Sequence, residues 1–314
     1  MKQQSQNAQL TLLGILFSML TVLQVTAQVQ NGQFSGSVSD PTGAAIANAN
    51  ITVIDSATGE SFPATTNSTG NYTVKEVPPG VYKITVEAQG FKTSTNNGVT
   101  ADAGTITHVD FKLPIGKTSE VVEVTGEASA VNIDDSKLST TVNSTQISNL
   151  PLNGRNVYDL MQLAPGAVNV MGIDFEAGHN TVVNGVREDF NGFLINGVSN
   201  KDMSGGNNNV PIQDTVAEFQ QLTLNMSAQY GSSAGSINNL VTKSGTNSIH
   251  GSVWEYVRNS AFDANDYFLN QAGVARPPLH FNQFGFTVGG PIIKDKLFFF
   301  GSYQGDRFLT EGTP

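Results

Sequence analysis

The sequence predicts a mainly β protein built from short strands and tight turns. Three observations carry this. Charged residues make up 13% of the 314 residues, about half the ~25% of an average soluble domain. Turn formers are abundant, with 32 Gly and 30 Asn, and both types favour turns over regular structure. Apolar residues, 39% of the chain, recur in two-residue alternation, the period of a strand with one buried face. The length corresponds to about two domains.

Composition also excludes several functions. A net charge of −10 opposes general nucleic-acid binding, which needs basic patches to displace counterions from phosphates. With no cysteine there is no disulfide scaffold, thiolate zinc site, iron–sulfur cluster or Cys nucleophile. The four histidines are followed three residues later by Phe111, Val182, Val253 and Gln283, so none belongs to a His-x-x-Glu zinc pair. No cofactor or metal site is expected.

Residues 1–27 read as a secretory signal peptide. Lys2 supplies a positive start, 10–23 is an uncharged apolar run of 14, and Val25, Thr26 and Ala27 give small residues for cleavage between Ala27 and Gln28. Fourteen helical residues span about 21 Å, short of a bilayer core of about 30 Å.

Residues 28–114 alternate like a β-sandwich. In 81–87, Tyr82, Ile84 and Val86 share one face while Lys83, Thr85 and Glu87 share the other. Turn signals at Gly43, Gly59, Gly70, Gly80 and Gly90 recur about every ten residues, which fits six or seven short antiparallel strands. The strings Gly36-Ser37-Val38-Ser39-Asp40, Thr69-Gly70-Asn71-Tyr72 and Val77-Pro78-Pro79-Gly80-Val81-Tyr82 resemble the carboxypeptidase regulatory-like domain, a small prealbumin-like sandwich. That resemblance implies an accessory role, sometimes linked to carbohydrate binding, and no peptidase activity.

Beyond a linker at 115–126, four features stand together. Leu150-Pro151-Leu152-Asn153-Gly154-Arg155 leads into a short helix with Val157, Leu160, Met161 and Leu163, which stops before Pro165. Asn184-Gly185 and Asn196-Gly197 are hairpin turns. Residues 215–224 read as a helical turn entering a strand. Tyr230-Gly231 and a small-residue stretch precede Asn239-Leu240-Val241-Thr242-Lys243-Ser244-Gly245. This last string resembles the end of the plug domain of TonB-dependent outer-membrane receptors, and the Asn-Gly-Arg segment resembles their Oar-like subgroup. The order signal, sandwich, plug (127–248) and barrel start (249–314) is similar to that subgroup, and the resemblance covers essentially the whole chain.

The resemblance has further implications. A short Val-rich stretch just before the plug is the TonB box, which pairs as an added strand with the periplasmic protein TonB. Here the candidates are Glu120, Val121, Val122, Glu123, Val124 and Thr125. Main-chain pairing gives affinity with little demand on side chains. The sandwich is then expected in the periplasm of a Gram-negative bacterium, and the barrel among outer-membrane lipid. The ligand is left open among siderophore, carbohydrate, peptide and cobalamin.

Two remaining readings concern chemistry and the chain's last part. Gly231-Ser232-Ser233-Ala234-Gly235 matches a nucleophile elbow, but a strand rather than a helix is expected to follow, so catalysis is not expected. In 251–258, Trp254 and Tyr256 alternate with Val253, Glu255 and Val257. In 283–289, Phe284, Phe286 and Val288 oppose Gly285, Thr287 and Gly289. A further strand starts at 297. Apolar-out, small-or-polar-in alternation is the pattern of transmembrane β-strands, with 291–296 a periplasmic turn and 259–281 an extracellular loop. Only 66 residues follow position 248, too few for even eight spanning strands of about 10 residues, so the chain is expected to be a fragment of a longer receptor. The alternative reading is a secreted cell-surface adhesin or carbohydrate-binding β protein.

Overall fold

The computed structural model describes residues 31–116, 121–123, 138–169, 181–203 and 205–310. The signal peptide and the cleavage site at Ala27 and Gln28 lie outside the described residues.

The first unit is a two-sheet sandwich. One sheet sets β1 (Gly32–Ser39) beside β4 (Asn71–Val77), with β7 (Ile106–His108) and β8 (Phe111–Lys112) on its other edge. The other runs β3 (Ser61–Thr65), β2 (Asn50–Asp55), β5 (Gly80–Glu87), β6 (Thr93–Ala101) and β9 (Val121–Glu123). Tyr82, Ile84 and Val86 are fully buried, with Phe34, Val53 and Phe111 packed against the same core. Phe34 and Tyr82 meet edge to face at 5.5 Å, the geometry that aromatic quadrupoles favour. The positive φ values of Gly43, Gly59, Gly70 and Gly90 match the expected turns.

The expectation of purely antiparallel strands fails at β1 and at β6. β1 is parallel to β7 and β8, and β6 is parallel to β9. Residues 102–105 carry the chain across from one sheet to the other, so β7 enters in the same direction as β1. The stretch expected as a linker, 115–126, begins pinned to the sandwich. Ile115 bridges Phe91, and Gly116 N–H donates to Gly90 O at 3.2 Å.

The second unit is α+β. A five-stranded sheet runs β10 (Leu138–Asn143), β15 (Val216–Leu224), β16 (Ile237–Thr242), β13 (Gly192–Ile195) and β14 (Val198–Ser199). A separate pair joins β11 (Ala167–Asn169) to β12 (Thr181–Val183). Asn143 caps the one-turn helix Ser144–Asn149 with a complete capping box. The expected helix at 157–163 is present but wound as a 3₁₀ helix, capped by Asn156 and closed at Ala164. Val157, Leu160 and Met161 bury against Phe193, Phe219 and Leu240, whereas Leu163 is exposed. Asn196 and Gly197, both at positive φ, turn β13 into β14 as expected.

The third unit is an antiparallel meander of β17 (His250–Asn259), β18 (Leu279–Ile293) and β19 (Leu297–Thr310). Gln283, Gly285, Thr287 and Gly289 are buried along β18, while Phe286 and Val288 face outward. On β17, Trp254 is 8% exposed and Val253 87%. The small-or-polar-in, apolar-out alternation therefore holds on β18, whereas β17 turns its Trp254 inward, and the three strands form an open sheet.

Candidate functional site

Of the six TonB-box candidates, Val121, Val122 and Glu123 form β9, in register with Thr93, Ser94 and Thr95 of β6. Glu120, Val124 and Thr125 lie outside the described residues. The sequence marked this segment as strand-prone. It did not reveal that the sandwich itself supplies a partner.

The Asn-Gly-Arg segment makes one of the contacts between the second unit and the strands that follow it. Gly154 and Arg155 both take left-handed backbone, at φ 63° and 60°, which turns the chain sharply after Leu152. The Arg155 guanidinium lies over Tyr256, 4.1 Å from the ring centroid, and 5.7 Å from that of Trp254. It also forms an ion pair with Asp214, on the 3₁₀ turn Gln213–Thr215. A planar cation suits both roles, stacking on a ring while donating in its own plane. The motif was visible in the sequence, but its partners, 59 to 101 positions away, were not.

Two further contacts, both missed by sequence reasoning, seat the sandwich. Ala103 N–H donates to Glu218 Oε1 at 3.0 Å, and Gln220 Nε2 donates to Ala103 O. Burial, aided by the Asp102 charge, pushes the Glu218 carboxyl up to about 7. At the other end, Asn247 N–H donates to Ala57 O (3.0 Å) and its Nδ2 to Thr58 O (2.8 Å). Asn247 also exchanges two hydrogen bonds with Asp295 in the β18–β19 turn, at 2.7 and 2.9 Å. The sandwich thus touches both the plug sheet and the turn expected to be periplasmic.

The plug interior is unusually polar. Gln220, Gln221, Asn238 and Asn239 are all buried on β15 and β16. Some are bonded, as where Asn238 Nδ2 donates to Gly192 O at 3.1 Å and Asn239 Oδ1 accepts from Gly197 N–H at 3.1 Å. Both amide atoms of Gln221, however, are buried without a protein partner. Such groups cost free energy that a well-bonded core avoids.

The chemical decoys resolve. The Gly231–Gly235 stretch runs on into strand β16 rather than a helix, so Ser233 lacks the strand-to-helix elbow a nucleophile there requires. The fold does align Ser35, His108 and Asp110. Ser35 Oγ lies 3.3 Å from His108 Nδ1, and His108 Nε2 3.2 Å from Asp110. Burial works to raise the Asp110 carboxyl, but two bonds from Ser37 and the neighbouring His108 hold it below its usual range. The row fastens β7 to β1. Among the described residues no cluster of His, Asp and Glu is arranged to hold a metal.

Comparison with known proteins agrees with this arrangement. Residues 33–114 match the carboxypeptidase regulatory-like domain, and 241–314 match an outer membrane beta barrel domain. The chain is 27% identical over 251 residues to the TonB-dependent transporter Oar of Myxococcus xanthus, covering 76% of this chain and 23% of that protein. Over 107 residues it is 33% identical to a probable TonB-dependent siderophore receptor, PirA, of Acinetobacter baumannii, covering 33% of this chain and 12% of that one. The chain therefore spans less than a quarter of either curated relative. The crystal structure of the A. baumannii siderophore receptor PirA superposes with a TM-score of 0.39 at 22% identity, over 53% of this chain and 24% of that one. Over most of its length the chain is thus similar to the TonB-dependent transporter Oar, and it joins a carboxypeptidase regulatory-like domain to the first strands of an outer membrane beta barrel domain.

Proposed function

We propose that this chain is the energy-coupling and pore-occluding part of a TonB-dependent transporter. In this reading 28–114 is a periplasmic accessory sandwich, 115–126 carries the TonB box, 127–248 is the plug, and 249–314 begins the barrel. A ligand binds at the extracellular side of plug and barrel. TonB pairs with Glu120 to Thr125 and pulls, the plug rearranges, and the ligand passes. The work is gated uptake rather than bond chemistry, so the protein is not an enzyme. The observation that carries the proposal is the seating of the plug loop on the first barrel strand, Arg155 over Tyr256.

The ligand class is open among siderophore, carbohydrate, peptide and cobalamin. A relative named as a siderophore receptor places ferric siderophores first for screening. The adhesin or carbohydrate-binding alternative is not favoured, because the relatives are named for transport and siderophore reception. The test is deletion of 120–126 in the full-length receptor. Uptake should be lost while ligand binding persists, and undiminished uptake would place the box elsewhere.

A further inference from the structure

The segment that leaves the plug, 243–249, is held from two sides. On one side it lies against the barrel strands. A Cβ on Gly245 would stand 2.9 Å from Gly290 O and closer still to Phe299 O, so the chain crosses the β18–β19 hairpin with backbone against backbone. On the other side stands the turn between β2 and β3. Asp55 Oδ1 accepts from Ala57 N–H at 2.7 Å, and Asp55 O accepts from Gly59 N–H at 2.9 Å. These bonds fix the turn and present the carbonyls of Ala57 and Thr58 outward. Gly59, at φ 79°, lets the turn come so close that a Cβ there would meet Asp295 Oδ1 at 3.1 Å. Asn247 joins the two sides. Its Nδ2 donates to Thr58 O and to Asp295 Oδ1, its Oδ1 accepts from Asp295 N–H, and its own N–H donates to Ala57 O. Both amide protons of the side chain are thereby used, one on the sandwich and one on the β18–β19 turn.

The plug sheet is asymmetric about this point. β10, its N-terminal strand, lies at the edge of the sheet beside β15, whereas β16, which leads into 243–249, lies between β15 and β13. Removing β10 breaks one ladder, and removing β16 breaks two. The sandwich also holds β15, through Ala103 at Glu218 and Gln220. Its two holds therefore fall on β15 and on the exit segment. We infer that the sandwich is a brace: it clamps 243–249 onto the β18–β19 turn and steadies β15, so that a pull on the chain before β10 strips that edge strand while the rest of the plug sheet stays in the barrel. The clamp stands on its own contacts. The pull rests on the reading above, in which TonB draws on 120–125. This gives the accessory sandwich a mechanical function.

The test uses the full-length receptor with Asn247→Asp, a change of equal size that removes both amide donors and sets a carboxylate against Asp295 and Thr58 O. A second variant lacks 31–114. In detergent and without TonB, amide exchange at 245–249 should quicken at least tenfold in both, because local opening sets the exchange rate. Unchanged exchange in either variant overturns the clamp. The brace has a separate readout in cells. Asn247→Asp should admit vancomycin at least fivefold more readily than the parent receptor when TonB is present, and no more readily when TonB is absent. Greater entry in both strains, or in neither, overturns the brace and leaves the clamp standing. Failure of the purified periplasmic part of TonB to bind the parent receptor overturns the pull and the brace with it, and the exchange result still decides the clamp.

Discussion

The guanidinium of Arg155 rests 4.1 Å from the ring centroid of Tyr256, which joins a left-handed turn of the plug to the first strand of the barrel wall. The same side chain pairs with Asp214, so one residue binds the plug to itself and to its surroundings. Replacing Arg155 with Ala removes the stacking and strands a mostly buried Asp214. The expected cost to plug seating is on the order of 2 kcal/mol. Amide exchange over 153–163 in the intact receptor should then quicken about thirtyfold. Arg155→Lys should recover only part of this, since an ammonium lacks the planar fork.

Glu218 gives the sandwich–plug contact a pH dependence. Its carboxyl is raised from 4.5 to about 7 by burial and by Asp102. The folded state therefore holds a proton that the unfolded chain releases at lower pH. The stabilisation is fully present below about 4.5 and is lost as pH rises through about 7. Glu218→Gln should flatten this dependence and strengthen the contact at pH 8, because its amide oxygen still accepts from Ala103 N–H. Exchange at 101–105, corrected for intrinsic rates, measures it. A dependence that persists in the variant would assign the effect to another group.

The Asn196-Gly197 turn does more than reverse the chain. Asn196 Oδ1 accepts from Thr242 N–H and its Nδ2 donates to Thr242 Oγ1, both at 2.9 Å, fastening the hairpin to β16. Asn196→Ala loses both bonds and places Ala at φ 51°. The expected loss is on the order of 2 kcal/mol, seen as a lower denaturant midpoint for the plug. Asn196→Asp keeps the acceptor and tolerates the backbone, so it should lose about half as much.

Gly285 makes room for Trp254. A Cβ at this position would lie 2.5 Å from the indole ring and 2.3 Å from Tyr303 O. Gly285→Val should displace the indole, loosen the β17–β18 pairing and reduce by several-fold the protease-resistant fraction of receptor in isolated outer membranes. Equal resistance would mean that the strands accommodate the side chain by shifting.

How legible the fold was depended on the range of the interaction. Strand β5 was readable almost to the residue, expected at 81–87 and found at Gly80–Glu87, because it alternates in sequence and buries one face. Both Asn-Gly turns were readable because positive φ is a local requirement. The parallel partners of β1 and β6 were not, since a strand's composition does not encode its direction relative to a distant neighbour. The docking residues were also hidden. Asn247 and Asp295 sit 48 positions apart, and each alone is an ordinary turn residue. Arg155 was conspicuous only through resemblance, because a single arginine does not announce an aromatic partner on another unit.

The amide-lined layer of β15 and β16 has a thermal consequence. Loosening it brings Gln220, Gln221, Asn238 and Asn239 into water along with Phe219, Leu222, Ile237 and Leu240. Apolar exposure raises heat capacity and polar exposure lowers it. The amides offset part of the apolar contribution, so opening this layer carries a smaller heat-capacity increment than an all-apolar layer of the same size would. Its free-energy curve against temperature is correspondingly less curved, so cooling weakens this layer less than it weakens an all-apolar one.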